Sequence, residues 1–116
     1  MSKDCCDSYS PSSDSFNDIK EKLPVIECLA EIFKILGDQT RVKILYILSQ
    51  KELCVCDIAN ILNMSMPAIS NHLRILRALR LVSYRKKGRS VYYTLADKHI
   101  EDLIKIAHEH FVTEEN

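Results

Sequence analysis

Glycine and proline are scarce in this sequence, with two glycines and three prolines among 116 residues. So few turn-forming residues favour a mostly helical protein. No apolar run approaches the roughly 20 residues of a membrane-spanning helix. The first residues, MSKDCCDSYS, lack the apolar segment of a signal peptide. We expect one domain with a short arm, located in the cytoplasm.

Acidic residues are absent between Ser65 and Leu95, although the net charge of the chain is zero. The same stretch contains seven cations: Arg74, Arg77, Arg80, Arg85, Lys86, Lys87 and Arg89. Residues 1–32 instead carry seven acids against three lysines, and residues 97–116 carry six acids against two lysines. A basic segment between acidic ends indicates a surface for nucleic acid. The alternative, a solvated helix face, usually contains interspersed acids.

Signals for an enzyme are also missing. No nucleophile–base pair, phosphate-binding loop or paired general acid and base is recognisable. The five cysteines are an odd number, which argues against a complete disulfide framework. In the reducing cytoplasm, clustered cysteines more often bind metals or undergo redox chemistry. We therefore expect a protein that binds rather than catalyses.

The beginning of the chain differs in composition from the rest. Residues 1–15 are rich in serine and aspartate and are predicted to form a flexible arm that carries Cys5 and Cys6. Residues 16–116 are predicted to form the folded domain, which would both bind DNA and dimerise. The arm is of interest only because of its two cysteines.

Two helices are predicted at the start of the folded domain. Apolar residues recur at helical spacing from Phe16 to Leu36, and Pro24 suits the first turn of that helix. A second helix is predicted over residues 39–49, with Asp38 as its N-cap. The residues that this second helix is expected to bury are Val42, Leu45, Tyr46 and Leu48.

A helix-turn-helix is predicted next, followed by a hairpin and a last helix. The first helix of the motif begins near Cys54 or Val55 and ends near Leu62, and the second has Ser65 as its N-cap. The segment LVSYRKKGRSVYYTL reads as a β-hairpin with cations at its tip. Asp97 is expected to cap the last helix. This order predicts a mainly α, winged helix-turn-helix fold with a small β-hairpin.

The second helix of a helix-turn-helix enters the major groove of DNA. Here that helix is SMPAISNHLRILRALR, whose apolar residues Ile69, Leu73 and Leu76 are expected to face the core. The predicted DNA contacts are Ser65, Met66, Ser70, Asn71, His72 and Arg74 on this helix, and Lys86, Lys87 and Arg89 at the hairpin tip. Asn71 suits adenine, whereas His72 fits a partly buried position equally well. Because a single small module holds specific DNA weakly, we expect a homodimer on double-stranded operator DNA.

The segments ELCVCDIANIL, SNHLRILRALRLVSYRKKGRSVYYTL and ADKHI resemble the ArsR/SmtB family of bacterial metal-sensing transcriptional repressors. The sequence is most similar to members that respond to cadmium, lead or zinc, and the resemblance covers residues 25–112. It implies a dimeric repressor that occupies its operator when metal-free. Binding of Cd(II), Pb(II) or Zn(II) would release the operator, so that metal efflux or sequestration genes are expressed.

The thiols of Cys54 and Cys56 lie at the predicted entrance of a helix. Inside a regular helix they would point about 200° apart, but at the entrance they can converge. The helix N-terminus is also expected to lower their pKa. Two thiolates leave a metal site incomplete, so the predicted site includes Cys5 and Cys6 from the arm. The resemblance implies that cysteines of the arm, often from the other subunit, bind the metal together with Cys54 and Cys56. The alternative is that Cys56 packs as a small apolar residue.

A second candidate site lies on the last helix, DKHIEDLIKIAHEH. His99 and His110 share one face but are about 16 Å apart along the helix axis. Across the axis of a dimer, Asp97 and His99 of one chain would meet His110 of the other, and the resemblance implies such a site. Thr113 occupies the position of a family ligand, and Glu114 could join by geometry. This nitrogen and oxygen set suits Zn(II); the alternative is an exposed helix at a dimer interface.

Two other functions use the same residues. Cys54 and Cys56 could form a disulfide in a repressor that senses redox state or persulfides. A cytosolic metal-buffering protein without DNA function is a further alternative, against which the acid-free basic segment argues. In the metal-sensing hypothesis, the arm is drawn onto the two thiols, which shifts the helix-turn-helix relative to the dimer partner.

Overall fold

The computed structural model describes residues 13–114, with side chains for residues 15–112. The helices are α1 (Ser13–Ile35), α2 (Gln39–Gln50), α3 (Val55–Leu62), α4 (Met66–Ala78) and α5 (Lys98–Glu114), and the strands are β1 (Leu53–Cys54), β2 (Val82–Lys87) and β3 (Ser90–Leu95). The chain divides into two compact units, Met1–Lys34 and Ile35–Asn116. No helix in the part of the chain described here is long and apolar enough to cross a membrane.

The first unit contributes most of α1, which differs from its prediction at two points. The helix begins at Ser13, whereas the predicted arm extended to residue 15. Serine and aspartate suit the start of a helix as well as a flexible segment, so composition could not separate the two. Pro24 lies inside the helix, not in its first turn as predicted. Cys5 and Cys6 lie outside the described residues.

The second unit has its core between α2, α3, α4 and the sheet. The buried apolar residues are Ile44, Leu45, Leu48, Ile58, Ala59, Ile69, Leu73, Leu76, Leu81 and Val82. The prediction for α4 is confirmed, because its three expected core residues are all fully buried. The prediction for α2 is wrong at Val42 and Tyr46, which are 42% and 40% exposed, while Ile44 is buried instead. Helix α2 is apolar on several sides, so periodicity did not select the buried one.

Side-chain caps set the beginnings of three helices. Oδ1 of Asp38 accepts from the N–H of Arg41 at 3.1 Å, and Oγ of Ser65 accepts from the N–H of Ala68 at 3.2 Å. Oδ1 of Asp97 accepts from an N–H of the first turn of α5 at 3.2 Å. Asn63, with φ of 56°, ends α3 in a left-handed conformation. The three predicted caps are therefore confirmed, and α3 and α4 form the predicted helix-turn-helix.

The sheet has the strand order β1-β3-β2, and both neighbours are antiparallel to β3. Strands β2 and β3 form the predicted hairpin, with Gly88 at its tip at φ of +60°. Strand β1 was not predicted. It has two residues, too few to show an alternating pattern, and it exists because Leu53 and Cys54 pair with Tyr93 and Tyr92. The winged helix-turn-helix prediction is confirmed, with one additional strand.

Candidate functional site

The exposed side of α4 carries most of the residues predicted to contact DNA. Ser65, Met66, Ser70, Asn71 and Arg74 are all exposed, while the opposite side of the helix belongs to the core. Nη2 of Arg74 donates to Oδ1 of Asn71, one helical turn away. This hydrogen bond holds the side chains of two predicted DNA contacts together on the exposed face of α4. The helix therefore presents a polar surface with the chemistry needed to read base edges.

His72 occupies a different position from its neighbours on α4. Its ring is half-buried, and its Nδ1 accepts a hydrogen bond from Nε of Arg41 at 3.1 Å. Nη1 of Arg41 donates to the carbonyl oxygen of Ile35 at 3.3 Å. The backbone N–H of Arg41 holds the pKa of Asp38 below its ordinary value, against the effect of burial, and the charges of His72 and Arg41 act in the same direction. His72 is thus held by α2 through its Nδ1 atom.

The cations of the hairpin differ in their surroundings. Lys86, Lys87 and Arg89 are exposed, and Nζ of Lys87 lies 5.5 Å from the ring centroid of Tyr92. The guanidinium of Arg77, from α4, lies 4.6 Å from the ring centroid of Tyr84. The three predicted wing residues therefore present charge to solvent, while Arg77 packs on the hairpin.

Arg85 is engaged in an ion pair that the sequence did not predict. Its Nε and Nη2 donate to Oε2 and Oε1 of Glu52 at 2.6 Å and 2.9 Å. The hydrogen bonds from Arg85 lower the pKa of Glu52, and the pair raises the pKa of Arg85. One of the seven cations counted in the basic segment is thereby matched by an acid from outside it.

The thiols of Cys54 and Cys56 are 3.1 Å apart at their sulfur atoms. Cys54 is the N-cap of α3, with φ of −90° and ψ of 170°, and Cys56 follows in the first turn. The extended conformation of Cys54 turns its side chain toward Cys56, which two residues inside a helix cannot achieve. Cys56 is exposed, so it is not a buried packing residue.

A carboxylate that sequence reasoning missed completes this cluster. Sγ of Cys54 donates to Oδ2 of Asp57 at 3.3 Å, and the ligand atoms of Cys54, Cys56 and Asp57 all lie within 4.8 Å of one another. The signal was present in the motif, because Asp57 directly follows the second cysteine. Two thiols and one carboxylate gathered at the start of α3 are a donor set for a divalent metal ion with affinity for thiolates.

The pKa of the Cys56 thiol is raised, not lowered as the sequence predicted. Its hydrogen bond with Cys54 is the largest cause, followed by partial desolvation and by the electrostatic effects of Cys54 and Asp57; only the N–H of Asp57 acts in the opposite direction. The contact among three acidic groups thus affects the pKa of Cys56 more than the helix N-terminus does. A cation that replaces the thiol protons would relieve this repulsion.

The second candidate site is only partly assembled within one chain. Nδ1 of His99 lies 3.6 Å from Oδ1 of Asp97, and both side chains are exposed. The ring of His110 lies edge-on to that of Phe111, with 5.1 Å between centroids. His99 and His110 remain about 16 Å apart along α5. The side chain of Glu114 lies outside the described residues.

An open apolar groove of about 590 Å³ lies between α2, α3 and α5. Its lining includes Val42, Tyr46, Ile61, Ile104 and Phe111. The two residues of α2 that were wrongly predicted to be buried are thus part of this surface. An exposed apolar area of this kind is typical of a surface that another protein covers.

The helix-turn-helix, its exposed polar recognition helix and the cationic hairpin define a winged helix-turn-helix regulator. Solved structures of other proteins share the fold. Reduced HlyU from Vibrio cholerae has a TM-score of 0.73 and 29% identity, with 79% of this chain and 97% of that chain covered. The homodimeric winged helix-turn-helix DNA-binding domain Mb0332 from Mycobacterium bovis has a TM-score of 0.70 and 28% identity, with 82% and 86% covered.

Sequence comparison identifies the family. The profile described as "Bacterial regulatory protein, arsR family" matches residues 38–84. The cadmium resistance transcriptional regulatory protein CadC homolog from Staphylococcus aureus is 44% identical over 113 residues, which cover 95% of this chain and 93% of that protein. The transcriptional repressor SmtB homolog from Synechocystis is 46% identical over 82 residues, which cover 71% and 62%. The chain belongs to the arsR family of transcriptional regulators, and it is not an enzyme.

Proposed function

We propose that this protein is a metal-responsive transcriptional repressor of the cytoplasm. As a metal-free homodimer it binds operator DNA, and it releases the DNA when Cd(II), Pb(II) or Zn(II) is bound, so that efflux or sequestration genes are expressed. The observation that carries this proposal is the pair of thiols, 3.1 Å apart, at the start of the helix that precedes the recognition helix. The relative from Staphylococcus aureus, described by its name as a cadmium resistance regulator, supports it.

The regulatory ligand is a soft divalent cation held by Cys54 and Cys56. Thiolates favour Cd(II), Pb(II) and Zn(II) over hard cations such as Mg(II). Asp57 lies close enough to provide an oxygen atom, and Cys5 and Cys6 are proposed as further ligands. Because the pKa of the Cys56 thiol is raised, binding of a cation has to displace its proton, and affinity should increase with pH.

DNA binding is assigned to the exposed side of α4 and to the tip of the hairpin. The residues proposed to contact DNA are Ser65, Met66, Ser70, Asn71, His72, Arg74, Lys86, Lys87 and Arg89. Two recognition helices related by a two-fold axis would read half-sites about one helical turn of DNA, roughly 34 Å, apart. The apolar groove between α2, α3 and α5 supports a dimer, because a second copy would cover it.

A second metal site is proposed across the dimer on α5. Asp97 and His99 already lie together, and His110 with Glu114 of the second chain would complete the set. These nitrogen and oxygen donors suit Zn(II) rather than the softer ions. A site of this kind requires two chains, since one helix keeps its two histidines apart.

The short distance between the sulfur atoms also favours a second function on the same scaffold. Oxidation of Cys54 and Cys56 would make the switch a redox or persulfide response. The two functions differ in what releases the DNA. A metal sensor releases it under strict reduction when the cation is added, whereas a redox sensor releases it only with an oxidant or a persulfide.

The test is the affinity of the protein for DNA upstream of its own gene, measured by fluorescence anisotropy under anaerobic, reducing conditions. We expect Cd(II), Pb(II) or Zn(II) to weaken binding of the wild type by a factor in the range of about 5 to 150. Cys54→Ser should abolish this effect, and Cys28→Ser, a matched change outside the thiol cluster, should preserve it. If the metal ion weakens DNA binding of Cys54→Ser as much as that of the wild type, the sensing site is on α5 instead.

A further inference from the structure

One face of the sheet places the thiol site beside the cations of the wing. Cys54 and Arg85 both pair with Tyr92, from opposite sides of β3. Residues paired across antiparallel strands project to the same face, and so do residues two positions apart in a strand. Lys87 therefore shares the face with Arg85, and Glu52 reaches it from the segment before β1. We name these five residues the linking face.

The ion pair of Glu52 and Arg85 spans this face. Strands β1 and β2 lie on opposite sides of β3, so the pair bridges two strand spacings, roughly 9.6 Å. The two hydrogen bonds measure 2.6 Å and 2.9 Å, and the bidentate geometry fixes orientation as well as distance. The Glu52 side chain is 25% exposed and that of Arg85 is 60% exposed. The segment that holds the first thiol is thus tied directly to the outer strand of the wing.

The distance between the two sulfur atoms bears on how metal binding would act on the ion pair of Glu52 and Arg85. A tetrahedral site with metal–sulfur bonds of about 2.3 Å separates its sulfur atoms by roughly 3.8 Å, more than the 3.1 Å observed. Cys54 and Cys56 would therefore have to move apart. Cys54 belongs to the ladder with β3, whereas Cys56 belongs to α3. Because the two thiols belong to different elements, their separation can be met by a displacement of β1, and with it Glu52, relative to the helix-turn-helix.

We propose that the linking face transmits the occupancy of the thiol site to the wing, with Glu52 and Arg85 as positioning residues. The inference rests on the proposed function and names the residues that couple its two sites. Displacement of β1 moves Arg85 through Glu52. Lys87, whose Nζ lies over the ring of Tyr92 on the same face, moves with strand β2. The wing cations then no longer match the DNA backbone.

The test compares the coupling factor, the ratio of DNA dissociation constants with and without Cd(II), among variants. Glu52→Gln and Arg85→Gln should each reduce this factor by about two- to fivefold, the scale of an exposed ion pair. The charge-reversed double variant, Glu52→Arg with Arg85→Glu, should restore most of it. Lys86→Gln is the matched control, because it removes one wing charge from the other face of β2. It should weaken DNA binding equally with and without Cd(II).

Two further measurements distinguish a loss of coupling from a loss of cadmium binding. Cadmium affinity without DNA, read from the sulfur-to-cadmium charge-transfer absorbance, should stay within about twofold of wild type in all four variants, because none of the substituted residues is a proposed ligand. The Nε–H resonance of Arg85 should shift when Cd(II) is added to the wild type and stay unchanged in Glu52→Gln on the same addition of Cd(II).

The outcomes distinguish this inference from the proposed function. If the wild type responds to Cd(II) and both single variants keep the full coupling factor, the link is wrong and the metal sensor stands. Failure of the double variant to recover the factor would also overturn the assignment to the pair. If the wild type binds DNA equally with and without Cd(II), Pb(II) and Zn(II), the proposed function itself fails.

Discussion

Nε of Arg41 donates to Nδ1 of His72 at 3.1 Å, so a residue of α2 orients a ring on the recognition helix. An imidazole that accepts at Nδ1 carries its proton at Nε2. In this arrangement His72 offers Nε2–H as a donor. Arg41 also donates to the Ile35 carbonyl, which anchors it at the start of α2. We infer that His72 contributes a directed hydrogen bond to DNA.

Substitution of Arg41 tests this relationship. In Arg41→Gln the ring loses its donor at Nδ1, and we expect a mixture of the two tautomers in the nitrogen chemical shifts of His72. The loss of one oriented hydrogen bond should weaken operator binding by about two- to tenfold. Lys43→Gln removes a charge from the same helix and should leave the tautomer as it is. An unchanged Nε2–H tautomer in Arg41→Gln would contradict the assignment.

The carboxylate of Asp57 should contribute to metal affinity. We expect Asp57→Asn to weaken cadmium binding by about 10- to 100-fold, as losses of supporting metal-site residues do. The charge-transfer absorbance of the two thiolates should persist at saturation, since both sulfur ligands remain. Asp18→Asn, an equal change of charge on α1, serves as the control. Wild-type cadmium affinity in Asp57→Asn would exclude this carboxylate as a ligand.

The N-cap of the recognition helix should contribute measurably to stability. Ser65→Ala removes the acceptor for the N–H of Ala68, and we expect it to lower the free energy of unfolding by about 0.5–2 kcal/mol. Ser70→Ala, on the exposed side of the same helix, should change it by less than about 0.5 kcal/mol. Urea titration followed by circular dichroism measures both. Equal effects of the two substitutions would show that the cap bond contributes little.

The lowered pKa of Asp38 predicts how the stability of the fold depends on pH. Its folded-state pKa lies below its ordinary value, chiefly because it accepts a hydrogen bond from the N–H of Arg41. A group of this kind stabilises the fold above its unfolded pKa of about 3.9, and the contribution is lost as pH falls through the lower folded value. In Asp38→Asn, which keeps a capping oxygen but does not titrate, the melting temperature should fall less steeply below about pH 4. An identical acid dependence in the two proteins would contradict the role assigned to Asp38.

Much of the site could be predicted because it depends on neighbours in the chain. The approach of Cys54 to Cys56 follows from an extended residue at a helix entrance, and the exposure of Ser70 and Asn71 follows from the apolar stripe on the other side of α4. The ligands on the first residues and on α5 stay predictions. Asp57 was not predicted as a ligand, because an acidic residue in the first turn of a helix is also typical of one that stabilises the helix N-terminus.

The sequence by itself determined the helix caps at Asp38, Ser65 and Asp97, the buried stripe of α4 and the hairpin, because a side chain within three or four residues of its partner has little choice of geometry. Only the tertiary structure decided that Glu52 would meet Arg85 and that Arg41 would meet His72, pairs separated by 33 and 31 residues. It also decided which side of α2 is buried. Such contacts depend on how elements dock, and docking is set by the packing of the whole core rather than by any local pattern.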